Sequence, residues 1–383
     1  MNKWFPAIAL VALIVVIGVI IFRTDDDEER TIEVVSAEKM AGLEDLFYDK
    51  EPWLGADGAY SLDISEFQPN TVLWVFGDTL WGSIEGGRKV WTSVPNNSIA
   101  LQDTMDGTIR FYSEGKNVFK LAEWIRGREL WGPWPFAPFI QNGRIYLFLE
   151  VIDLAGFKDG DWLAGVYLAE VENPEDSPDG WRINYYPADS LPVKYENHSY
   201  LWLATDVLSG DSTYYMYGVR QEQIRDGDGK QRIIRHFVVA RTKECVTSQS
   251  WEFYDGTSWV SEPQIVRGGP ADLSTEYSVD YIPCFGKYLL VYQNDQTEDR
   301  SSILARWADT PVGPWSEPQL LYNPPEADDS RWSYAMKAHY PHLSEGANEV
   351  VVSYVVRSSV DEETLSDPDL YRPRFVRITF SER

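Results

Sequence analysis

Short apolar runs rich in β-branched and aromatic residues recur along this chain, separated by Gly, Pro, Asn and Asp. Past residue 52 almost no stretch carries the three-to-four-residue spacing of a long amphipathic helix. The runs cover residues 59–64, 71–77, 144–152, 164–171, 213–220, 235–241, 287–294, 302–308 and 349–356. They predict an all-β fold. A looser repeat lies above them. A turn or acidic residue, a strand, a short turn and a second apolar strand recur five times, over 57–78, 134–150, 200–220, 277–294 and 334–354. Third and fourth strands fit between, as where Ala240-Arg241 precedes Trp251 and Ala305-Arg306 precedes Trp315. Starts about 60 to 80 residues apart are long for four-stranded blades but leave room for loops. The pattern predicts a five-bladed β-propeller over residues 45–383. A two-sheet sandwich accepts the strands and explains the five-fold spacing less well.

The first repeat holds the clearest chemistry. Residues 59–64 and 71–77 read as antiparallel strands joined by a turn at Pro69 and Asn70. Pairing them brings Asp57 and Asp78 to one end of the hairpin, each beside a glycine (Asp57-Gly58, Gly77-Asp78). Opposed Cα atoms in such a pair lie about 4.5–5.5 Å apart, so the two carboxyls are expected to share one small site. Paired carboxylates whose pKa values are pushed apart can cleave a glycosidic bond by acid/base or nucleophilic chemistry. The plain alternative is two turn aspartates, which the chain also uses at Asp226-Gly227 and Asp228-Gly229.

Residues 4–22 are an almost unbroken apolar run between Lys3 and Arg23, about the length that spans a bilayer as a helix. No small-residue cleavage site closes it, which favours an uncleaved anchor (residues 1–23) with the globular part facing outward. A cleaved signal would leave a secreted protein with the same chemistry. Residues 24–44 read as a charged linker. The net charge of −26, from 34 Lys and Arg against 60 Asp and Glu, argues against nucleic acid and anionic lipid surfaces. It is compatible with a neutral polysaccharide or oligosaccharide partner, for which 16 Trp and 22 Tyr offer flat rings. Cys245 and Cys284 form either one disulfide or two separate thiols, and their spacing suggests no zinc site.

DGAYS from residue 57, LWVFGDTLWG from 73, WPFAPFIQNGRIYLFLE from 134, ARWADTPVGPWSEPQLLY from 305, and YAMKAHYPHLS with NEVVVSYV after it carry a family likeness. Together they resemble the five-bladed propeller proteins of domain-of-unknown-function family 4185, some of them grouped as glycoside hydrolase family 183, endo-acting D-arabinanases. The resemblance covers about residues 45–380. It implies that Asp57 and Asp78 are the catalytic pair, and that the reaction is hydrolysis of furanosidic linkages in an arabinan-type polysaccharide. Other glycans, and glycan binding without cleavage, are the alternatives.

Further acids and rings fall at strand ends. Glu150 closes the second repeat's outgoing strand and is expected to point toward the centre as an accessory acid. Asp206 and Asp280 occupy comparable places in the third and fourth repeats and are expected to accept hydrogen bonds from sugar hydroxyls. Trp81, Trp134 and Phe136 are expected as sugar platforms, with Tyr277 a further substrate contact. His339 and His342 flank Pro341 on a strand and so point apart, which does not make a metal pair. His339 is expected to line the channel, as a substrate contact or a ligand of a structural cation. No cofactor is required by this chemistry.

Overall fold

The structure, a computed structural model, describes residues 31–121, 124–125, 128–153, 163–195, 199–210, 212–225, 227, 231–294, 296 and 300–383. The expected membrane anchor at residues 1–23 lies outside them. Among the described residues no helix is long and apolar enough to cross a membrane. The described residues form an all-β fold of six antiparallel sheets, with only short helical turns between strands.

Five of these sheets follow one another in chain order. Sheet I comprises Tyr60–Asp63, Thr71–Phe76, Ser98–Asp103 and Ile109–Tyr112; sheet II is built on Arg128–Pro135, Arg144–Asp153, Leu163–Val171 and Ile183–Pro187. Sheet III is built on Ser199–Ser209, Tyr214–Arg225 and Gln231–Thr242, and sheet IV on Ser278–Ile282, Lys287–Tyr292, Ile303–Ala308 and Gln319–Tyr322. Sheet V takes Arg331–Ala338, Glu349–Ser358 and Pro373–Glu382, and its outer strand is Ile32–Lys39 from the other end of the chain. Residues 32–39, expected in a linker, are thus part of the domain. The segment is an edge strand with few fully buried positions, so its apolar signal is faint.

Each sheet packs on the next through a separate apolar cluster. Leu73, Val75 and Ile99 of sheet I meet Ile145, Leu147 and Leu149 of sheet II. Tyr146 and Phe148, from the opposite face of the same strand, meet Leu201, Leu203 and Met216 of sheet III. Tyr217 and Val219 meet Val279 and Leu290 of sheet IV, and Leu289 and Val291 meet Val350 and Val352 of sheet V. Val351 and Phe375 of sheet V then meet Val72, Trp74 and Phe76 of sheet I. The five sheets therefore close a propeller-like ring. Both faces of each sheet are covered, which is why runs such as residues 349–356 are nearly all apolar rather than alternating. Cys245 and Cys284 are free thiols, not a disulfide.

The sixth sheet (Trp53–Ala56, Thr79–Glu85 and Arg88–Ser93) interrupts sheet I, with one strand before its first and two after its second. Asp57 and Asp78 occupy the two crossings between these sheets.

The closure of sheet V on sheet I sets a stability test. Trp74 is fully buried there, packs on Phe375 and donates from Nε1 to Gln102 Oε1 at 2.8 Å. Trp74→Ala is expected to cost about 3–5 kcal/mol. Val35→Ala, on the exposed side of the closing strand, stays within about 0.5 kcal/mol. Guanidinium unfolding followed by circular dichroism checks both, and equal costs would contradict the ring interface.

Candidate active site

The predicted hairpin forms, with Tyr60 opposite Val75 and Leu62 opposite Leu73. At its end the Gly77 amide donates to the Asp57 carbonyl at 2.9 Å. A Cβ on Gly77 would lie 2.5 Å from Asp57 Oδ1, so glycine here leaves the carboxyl its place. Gly58, at φ +86°, makes the turn that aims it. Two phenols converge on the other oxygen. Tyr334 donates to Asp57 Oδ2 at 3.1 Å, and Tyr371 Oη lies 3.2 Å from the same oxygen and 3.1 Å from the Asp78 carbonyl.

Asp78 is held differently. Its Oδ1 accepts from Asn96 Nδ2 at 3.1 Å and from Trp134 Nε1 at 3.0 Å. Asn96 is itself held by Asn117, whose Oδ1 accepts from the Asn96 backbone amide at 2.6 Å. Trp134 thus serves Asp78 through its indole N–H, an edge contact rather than the face-on platform expected of it.

Asp57 is half-buried, and the loss of solvent around its carboxyl pushes its pKa to about 8. The negative charges of Asp78 and Glu276 add to the rise, and the two tyrosine hydrogen bonds offset part of it. Glu276 was not singled out by the sequence. It precedes the inner strand of sheet IV as Asp57 precedes that of sheet I, and that shared position was the available signal. Its Oε1 accepts from Lys337 Nζ at 2.8 Å, and this ammonium, almost wholly buried, lies 4.2 Å from the Tyr60 ring centroid. Tyr334, Tyr371, Asn96 and Lys337 were also not identified as site residues; of these, Tyr371 lies 314 residues from Asp57 and had no local signal.

Glu150 is fully buried. Its Oε1 accepts from the Leu203 amide at 3.2 Å, Oε2 has no hydrogen-bond partner among the described residues, and burial raises its pKa well above the usual range, which favours the neutral acid. The remaining residues lie elsewhere. Asp206, Asp280 and His339 line a cavity of about 250 Å³ with Ser61, Asp63, Lys337 and His342, and neither Asp57 nor Asp78 borders it. Asp206 accepts from the Val207 and Val279 amides at 2.8 and 2.6 Å; burial lifts its pKa to about 6 against those bonds. Asp280 is raised well above the carboxylate range by burial and by Asp206. His339 and His342, expected on a strand and pointing apart, follow the strand that ends at Ala338 and converge across a turn: Ser61 Oγ lies 2.6 Å from His339 Nδ1 and 2.7 Å from His342 Nε2, and burial keeps both imidazoles neutral. Among the described residues no group of three or more His, Cys, Asp or Glu is arranged to hold a metal ion.

Two of the expected substrate contacts belong to the core. Phe136 packs against Tyr60 in the interface between sheets I and II. Tyr277 is fully buried and donates to the Gly218 carbonyl at 2.8 Å. In a ring buried on both sheet faces, strand aromatics fill interfaces first. Trp81 is half-buried against Gly115.

The raised Asp57 pKa has a consequence for stability. An unfolded aspartate titrates near 3.8 and the native one near 8, so between those values the native state holds a proton that the unfolded chain releases. The contribution of this group is complete below about pH 4 and is lost as pH climbs through 8. Asp57→Asn removes the dependence. Its Tm advantage over the wild type is expected to widen between pH 5 and pH 8 in scanning calorimetry, and a constant gap would contradict the burial of this carboxyl.

Similar folds occur among solved structures. A proposed hydrolase from Bacteroides ovatus ATCC 8483 superposes with a TM-score of 0.67 at 18% identity, covering 93% of this chain and 92% of that one. The GH43_1 enzyme from Xanthomonas citri, solved with xylose, gives 0.47 at 13% identity over 89% and 93%. The α-L-arabinofuranosidase PaAbf62A from Podospora anserina, solved with cellotriose, gives 0.45 at 14% over 87% and 92%. No curated protein matches the chain. The resemblance to family 4185 and its D-arabinanases is overturned, because the family model that matches, over residues 41–380, is a different one. Motifs such as DGAYS and FGD describe a strand–turn hairpin with acids at its end, a feature too local to separate families. The chain belongs to DUF5005, a domain of unknown function.

Proposed function

We propose that this protein is a glycoside hydrolase built on a five-bladed β-propeller, with Asp57 as proton donor and Asp78 as base or nucleophile. The observation that carries it is the contrast within the pair. Asp57 holds its proton to about pH 8, while Asp78 receives two side-chain N–H donors, an arrangement suited to a carboxylate. A site that splits two neighbouring acids in this way can protonate a leaving oxygen and attack or activate water at the anomeric carbon. Glu276 is the third acidic group within electrostatic reach of Asp57, and Glu150, whose neutral form burial favours, is within reach of Glu276. The five-sheet ring and its overlap with the Bacteroides hydrolase support the propeller reading. Arabinan-type furanosidic linkages are the first substrate class to try. The apolar run at residues 4–22 is taken as an anchor that keeps the domain on the outer side of a membrane.

The test incubates the protein with arabinans, arabinogalactan and xylans and follows products by chromatography. Asp57→Asn and Asp78→Asn are expected to lower turnover by about 10²–10⁴-fold while the fold is retained. Wild-type activity is expected to fall as pH rises through about 8, where Asp57 loses its proton. Glycan binding without cleavage by the wild type would replace the enzyme with a binding propeller.

A further inference from the structure

Tyr371 reaches the Asp57 carboxyl from a backbone that a tyrosine rarely adopts, with φ at +54°. Three contacts hold it there. Its amide donates to the Val356 carbonyl at 2.8 Å. Its own carbonyl occupies the space where a Cβ on Gly55 would sit, 2.0 Å away, so the chain at Gly55 must be glycine for Tyr371 to come this close. The carbonyl just before it, that of Leu370, accepts from Lys89 Nζ at 2.6 Å.

Lys89 is an odd residue for its strand. Arg88, Val90 and Trp91 beside it are exposed, yet Lys89 is turned inward and only 5% exposed. Burying an ammonium against a carbonyl is costly, and a plain packing role would be met by an aliphatic side chain. Asp78 immediately precedes the strand Thr79–Glu85 of the same small sheet, and Lys89 lies on the next strand, opposite Ile84. The sheet that the chain enters from Asp78 therefore also supplies the group that grips the approach to Tyr371.

We propose that Lys89 is a positioning residue for the active site: through the Leu370 carbonyl it holds the Tyr371 hydroxyl on Asp57 Oδ2. Tyr371 in turn sets how firmly Asp57 keeps its proton, because its O–H stabilises the ionised form. Other charged groups around Lys89 are Arg372, which opposes its protonation, and Asp367 and Asp369, which favour it; burial and Arg372 together bring its pKa down to about 7. Its Nζ still donates when neutral, so the contact does not depend on the charge. The assignment rests on the proposed role of Asp57, but its test requires no turnover.

The experiment follows the Asp57 carboxyl by carbon NMR in protein labelled at aspartate, with Asp57→Asn assigning the signal. Tyr371→Phe is expected to raise the Asp57 midpoint by about half a pH unit or more, since a donor to Oδ2 is lost. Lys89→Met is expected to raise it in the same direction, and the double variant no further than Tyr371→Phe alone. Combined with Tyr334→Phe, by contrast, the Lys89→Met shift should add, because Tyr334 reaches Asp57 independently. Additive shifts in the Lys89→Met/Tyr371→Phe pair would reduce Lys89 to a distant charge and overturn the proposal, as would an unmoved midpoint. If Lys89→Met does not fold, Lys89→Gln takes its place in the cycle: its shorter amide reaches Leu370 less well and gives a smaller shift of the same sign, and no shift overturns the idea. Failure of every glycan in the hydrolysis panel leaves this titration readable, whereas an active enzyme with an unmoved midpoint removes the Lys89 role alone.

Discussion

The contact between the last sheet and the first is the constraint on which the rest depends. Val351 and Phe375 press on Val72, Trp74 and Phe76, and the strand Ile32–Lys39 completes sheet V from the opposite end of the chain. Without that closure, Tyr334 and Tyr371 have no reason to lie near Asp57, from which 277 and 314 residues separate them. The candidate active site is therefore a by-product of ring closure. Most of its groups sit in the connections just before or after strands, and apolar packing between sheets decides how near they come. Because core packing is dense and yields little, the carboxyl geometry inherits that rigidity.

Electrostatics works against the packing at the same place. A chain with a net charge of −26 gathers Asp57, Asp78, Glu150 and Glu276 within mutual influence and supplies Lys337 as a close cation, bonded to Glu276. Burial and mutual repulsion make the charged forms expensive, so Asp57 and Glu150 keep their protons. That is a poor arrangement for stability and a useful one for an acid that must give up a proton near neutral pH. The second acidic group, Asp206 with Asp280, faces a cavity that it shares with two neutral histidines and with Lys337, the same cation that is bonded to Glu276.

Aromatic residues show where reading along the chain misleads. Trp134, Phe136 and Tyr277 stand at strand ends beside acids, the places where sugar platforms occur. In a ring whose sheets are covered on both faces, those places are also where interfaces need volume. Phe136 and Tyr277 fill them, and Trp134 turns its N–H to Asp78. The residues 32–39 mislead in the opposite sense. An edge strand with one covered side carries too few apolar positions to stand out from a charged linker.

What the sequence determined by itself is local or periodic. The Asp57–Asp78 hairpin follows from two strands and a turn within a few residues of one another, and the five-fold recurrence follows from the spacing of apolar runs. Both survive because strand pairing across a short turn needs no information from the rest of the chain. The tertiary structure alone decided which distant groups meet. Glu276, Tyr334 and Tyr371 reach the pair through sheet-to-sheet packing, across sequence separations over which no pattern of residues persists. It also decided the protonation of Asp57, since a carboxyl's pKa is set by the burial and charges around it and not by its neighbours in the chain.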